Sequence, residues 1–131
     1  MSKQVLSKQP SQTKSPERVK ELGEVFTPEE LVNKMLNQLP HGLYGSWEEG
    51  KTFLDPSCGT GNFLVEVAKR KMNKEHKEVL STIFGVDIML DNVEECRARL
   101  LEIAGDTEEN RAIVKRNIVC ADALTYDFSF E

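Results

Sequence analysis

Residues 53 to 64 read FLDPSCGTGNFL: an apolar run stopping at Asp55, a turn holding Gly59 and Gly61, then the apolar positions Phe63 and Leu64. The run from Thr52 to Asp55 predicts a strand, and Phe63, Leu64, Val67 and Ala68 keep helical spacing. This is strand, glycine loop, helix. Glycines placed there serve a backbone that turns tightly and lets a ligand approach closely.

Upstream, Leu31, Val32, Met35, Leu36 and Leu39 share one helical face, with Thr27 predicted as the N-cap and Pro28 as the first helical residue. Pro40, Gly42 and Gly45 then break the chain into a loop. Downstream, Ser81 to Asp87 predicts a second strand. Met89, Val93, Cys96, Leu100 and Ile103 follow at spacings of four and three, predicting an amphipathic helix that ends at Gly105. Asp106 and Glu109 suit a capping box for one further short helix, and Asn117 to Cys120 reads as a third strand. Strand and helix alternate throughout, which predicts an α/β fold with a mostly parallel sheet and helices on both faces.

Asp55 ends the first strand, Asp87 the second, and Asp122 follows the third. In a doubly wound sheet these acids emerge at the carboxyl ends of neighbouring strands, the edge where such folds bind ligands. An acid after the second strand suits a pair of ribose hydroxyls. An acid after the glycine-loop strand suits a cationic ammonium group and would repel a pyrophosphate. The third glycine of a GxGxxG dinucleotide loop is also missing, since position 64 is Leu. Charge and glycine count therefore favour S-adenosylmethionine over a nicotinamide dinucleotide and place a dehydrogenase lower.

FLDPSCGTGNFL resembles motif I of the adenine-specific (N6) DNA methyltransferases. GEVFTP, residues 23 to 28, is similar to the motif that precedes it in the amino-first arrangement of that family. GVDI (85 to 88) and ADAL (121 to 124) resemble the next two motifs, so the likeness covers roughly residues 20 to 128. It implies a Rossmann-like methyltransferase fold, a three-layer αβα sandwich present here as about half of the usual sheet.

The resemblance also implies a set of cofactor contacts. Phe26, Thr27 and Pro28 would meet the methionine portion, with Thr27 bonding its carboxylate. Asp55, Pro56, Ser57, Gly59, Gly61 and Phe63 would form the cradle for the amino group and the adenosine. Asp87 would hold the ribose, Ile88 would pack on the adenine, and Asp122 and Ala123 would meet the adenine edge. None of these is a catalyst. The family transfers methyl through a [DNS]PP[YFW] motif, and this sequence contains no Pro-Pro. By the family's pattern the chain is an amino-terminal half that lacks transfer motif and target-recognition region. The glycine-loop strand would then present an open edge, which predicts a homodimer or a complementary chain.

The net charge of −5 conceals an asymmetry. Residues 1 to 20 carry five cations against Glu17 alone, which leaves −9 in the remainder. An acidic body argues against phosphate contacts made by this part alone, so DNA would be reached through a missing or partner-supplied region. The basic stretch 1 to 20 reads as a disordered leader and 21 to 131 as the cofactor-binding domain. No apolar run approaches a membrane span, no signal-peptide pattern is present, and Cys58, Cys96 and Cys120 form no metal-type spacing. A cytoplasmic protein of restriction-modification or of phage or bacterial DNA modification, in a bacterial or phage-infected cell and without metal or membrane, is the expectation. A catalytically inactive cofactor-binding or partner-binding remnant, and a fragment of an RNA or protein-glutamine methyltransferase, remain as alternatives.

Overall fold

The computed structural model describes residues 27–41 and 45–130. The predicted leader 1 to 20, Phe26 and Gly42 lie outside these residues. Three strands, β1 (Phe53–Asp55), β2 (Ile83–Asp87) and β3 (Ile118–Cys120), form a sheet in the order β1-β2-β3. Both pairs are parallel, with Asp55 opposite Gly85 and Gly85 opposite Ile118. Parallel neighbours need crossovers. Those are α2 (Asn62–Asn73) between β1 and β2, and α3 (Leu90–Ala104) with α4 (Glu108–Asn117) between β2 and β3; α1 (Glu29–Leu36) precedes the sheet. The α/β class and Rossmann-like topology read from the sequence stand.

Strand alternation divides the sheet's residues between its faces. Ile83 and Ile118 join the helix residues Leu64, Val67, Val93, Cys96, Leu100 and Val114 in one buried cluster. Gly85 faces the same way: a Cβ there would stand 2.8 Å from Leu64 Cδ1, so the close seat of α2 on β2 requires glycine. Phe84 and Val86 turn to the other face, where the ring of Phe130 rests 4.9 Å from that of Phe84. Each fully buried Leu, Ile or Val side chain contributes about 1.5–3 kcal/mol.

Three local expectations are corrected. Pro28 (φ −62°, ψ 150°), not Thr27, occupies the cap position of α1, and no side chain caps it. A proline loses nothing there, because the first helical N–H groups have no intrahelical partner. Ser81 and Thr82 are not strand. They end a 3-10 turn, Val79–Thr82, in which the Thr82 hydroxyl donates to the Val79 carbonyl at 2.7 Å, a local bond that competes with extended backbone. Thr107, not Asp106, caps α4, its hydroxyl accepting from the Asn110 amide at 3.0 Å, while Asp106 pairs with Arg111.

On α1 the single apolar face divides. Val32 and Leu36 are buried against α2, while Leu31 and Met35 stay about half exposed. Polar bonds complete the contact: Asn33 donates to Glu66 at 2.9 Å, and Arg70 donates to Asn37 at 2.7 Å. At the amino end of the sheet, Lys71 is buried with its ammonium on the Lys51 carbonyl and the Thr82 hydroxyl.

Candidate functional site

The carboxyl ends of the strands gather the glycine loop, Asp55 and Asp87. The loop prolongs the β1–β2 pairing, since Cys58 N–H donates to the Val86 carbonyl at 2.9 Å. It then turns through Gly59 (φ +56°) and Gly61 (φ +94°) into α2. At Gly61 the requirement for glycine comes from behind as well: a Cβ would meet Cys96 Sγ at 2.7 Å. Gly61 thus serves the packing of α2 on α3, where the sequence alone suggested only ligand approach.

Asp87 is 8% exposed and holds three protein donors. Gly59 N–H donates to Oδ1 at 3.1 Å, Met89 N–H to Oδ2 at 3.0 Å and the Asn92 amide to Oδ2 at 2.9 Å. A carboxylate has about four acceptor sites. Three are therefore occupied, and capacity remains for roughly one further donor, fewer than a bidentate pair of hydroxyls would use.

Asp55 differs. Ser57 N–H donates to its Oδ1 at 3.0 Å, and burial, reinforced by the nearby Asp87 charge, raises its carboxyl above the usual value. Two acids of like sign bordering one glycine loop create a potential that a cation relieves. S-adenosylmethionine, with an ammonium and a sulfonium and no phosphate, fits that potential. A pyrophosphate does not.

The remaining predicted residues fall in several places. Pro56 and Ser57 are exposed beside the loop, and Ile88, 57% exposed, stands beyond the end of β2. Phe63 packs against the core cluster. Asp122 is exposed past β3, its carboxylate accepting from Leu124 N–H at 3.0 Å, and Ala123 beside it is half-buried. Thr27 is half-buried, and its carbonyl accepts from the Asn62 side chain at 2.8 Å. Pro28 is exposed at the start of α1.

The chain matches the family model described as N-6 DNA Methylase over residues 12–128. It belongs to the N-6 DNA methylase family. Among curated proteins it is similar to the Type II methyltransferase M.VspI of Vibrio sp. (strain 343), 36% identical over 99 residues that make up 76% of this chain and 21% of that protein. It is also similar to the Type I restriction enzyme EcoEI methylase subunit of Escherichia coli, 32% identical over 71 residues, 50% of this chain and 13% of that protein. The chain thus spans only 21% and 13% of the length of these relatives. No solved structure matches it. A methylase family implies S-adenosylmethionine as methyl donor, and the acid-bordered loop suits that donor's charge.

Several residues of this N-6 DNA methylase domain were not evident from motif reading. Asn92, fully buried, fixes the Asp87 carboxylate, and Arg99 reaches the loop from α3 with 2.9 Å bonds to the Thr60 carbonyl and Asn62 Oδ1. Asn92 had a signal: it falls on the stripe Met89, Val93, Cys96 at helical spacing, where a polar side chain needs a buried partner. A hydrogen bond with Cys96 and then burial push the Cys58 thiol up, which disfavours its thiolate. Among the described residues no group of three His, Cys, Asp or Glu could hold a metal, and no helix is long and apolar enough to cross a membrane.

Proposed function

We propose that this chain is the S-adenosylmethionine-binding portion of a DNA adenine-N6 methyltransferase of a restriction-modification type, working in the cytoplasm. The observation that carries this reading is the Asp55–Asp87 pair bordering the glycine loop, with the Gly59 amide bonded to Asp87. In this arrangement Asp55 takes the methionine ammonium, the backbone from Ser57 to Gly61 lies against the adenosine, and Asp87 accepts one ribose hydroxyl. Ile88 covers the adenine, Asp122 and Ala123 meet its edge, and Thr27 and Pro28 border the methionine portion, with Thr27 on its carboxylate.

When bound, S-adenosylmethionine supplies an electrophilic methyl group. The chain's own residues hold and orient it, and residues outside this chain grip the target adenine. The named relatives are a Type II methyltransferase and a Type I methylase subunit, which favours DNA over the RNA and protein-glutamine alternatives. β1 pairs only with β2 among the described residues, and Leu54 on it is 49% exposed. A strand from the same polypeptide, a second copy or a complementary chain completes this edge.

Calorimetric titration tests the reading. S-adenosylmethionine binds saturably, Asp55→Asn weakens it tenfold or more, about 1.4 kcal/mol, and NADH does not bind. Absence of binding to the folded wild type, or equal binding of NADH, rejects it.

A further inference from the structure

The glycine loop and the start of α1 are joined by a side-chain relay that begins at Arg99, outside every motif. Arg99, half-buried on α3, donates from Nη1 to the Thr60 carbonyl at 2.9 Å and to Asn62 Oδ1 at 2.9 Å. Asn62, the first residue of α2, donates from Nδ2 to the Thr27 carbonyl at 2.8 Å. The contacts span 39, 37 and 35 residues of sequence, so three separate segments meet through two side chains.

Chemistry fixes the direction of this relay. The guanidinium only donates, so the Asn62 carbonyl oxygen must face Arg99 and its NH2 must face Thr27. A charge-assisted bond to a neutral oxygen is stronger than an ordinary one, and the two N–H groups of Nη1, fixed in the guanidinium plane, serve both acceptors. Thr60 is fully buried, so its carbonyl depends on a protein donor.

We propose that Arg99 is a positioning residue of the cofactor site, which through Asn62 clamps the Thr27 end of α1 onto the glycine loop. The clamp sets the distance between the segment bordering the methionine carboxylate and the loop that carries the adenosine. It rests on the S-adenosylmethionine reading above for its consequence, though not for its geometry.

Two variants separate its parts. Asn62→Asp keeps an acceptor for Arg99 and removes the donor to Thr27; Arg99→Gln removes the cation. Calorimetry of the full chain compares S-adenosylmethionine with 5′-methylthioadenosine, which has the adenosine and the sulfur but no amino acid end. Both variants weaken S-adenosylmethionine at least tenfold and change methylthioadenosine by less than twofold. Equal weakening of both ligands, or of neither, overturns the clamp. Amide hydrogen exchange on the same proteins reads it without ligand: the amides of Val32 to Leu36 lose protection in both variants while α3 keeps its own. Unchanged protection in α1 overturns the proposal, and this measurement decides it even if wild type binds no cofactor, a result that would instead reject the functional reading.

Discussion

The amide of Gly59 donates to Asp87 Oδ1 at 3.1 Å across 28 residues of sequence, so the glycine loop is fastened to the acid that ends the neighbouring strand. Asp87 is thereby a structural residue as well as a candidate ligand contact. Asp87→Ala removes an acceptor from the part-buried Gly59 and Met89 amides and from the Asn92 side chain, and a buried donor that loses its acceptor costs about 1–3 kcal/mol. Urea unfolding is expected to show a loss of about 3 kcal/mol, partly offset by entering water. A loss below about 1 kcal/mol would mean that the three bonds contribute little.

Asp55→Asn should behave in the opposite way. Its carboxyl is held above the usual value by burial and by Asp87, so the folded chain carries an unrelieved charge. Neutralising it leaves stability unchanged or slightly higher while weakening cofactor binding. The two aspartates are told apart by one pair of experiments, denaturation and titration.

The same shift sets a pH dependence. The folded carboxyl retains its proton above the ordinary value of 3.8, so the folded state binds more protons than the unfolded one in that window. Stability contributed by Asp55 therefore falls as pH rises from 3.8 through the folded value. A cationic ligand favours the ionised form, so S-adenosylmethionine affinity declines on acidification in a window that opens above 3.8. Asp55→Asn removes that decline; a variant that keeps the full decline would assign it to another group.

Lys71 carries the reverse sign. Burial lowers its ammonium from 10.5 to about 8, so between those values the unfolded chain binds more protons and stability from this residue rises with pH. Against Lys71→Met, wild type is expected to gain stability from pH 8 towards 10.5, measured by urea midpoints at matched ionic strength. A constant difference would show that the buried amine does not titrate in that range.

Element order was legible in the sequence because its signals are local: apolar periodicity gave α2 and α3, and two glycines after Asp55 gave the loop. Boundaries failed where a side chain competed with the backbone, at Thr82 and at Thr107. The glycine at 61 was recognised as necessary, yet half of its reason, Cys96 lying behind it, is a contact over 35 residues that no spacing rule encodes. Arg99 was illegible for the same cause. On its helix it has the pattern of an ordinary surface cation, and only the fold brings Thr60 and Asn62 to it.

The most direct test of the cofactor cradle is an amide-resolved NMR titration of this chain with S-adenosylmethionine. Binding in the cradle gives saturable shifts at Ser57, Gly59, Gly61 and Ile88 and leaves α4 from Glu108 to Asn117 silent. Shifts confined to other surfaces, or a spectrum unchanged at millimolar cofactor, would contradict it.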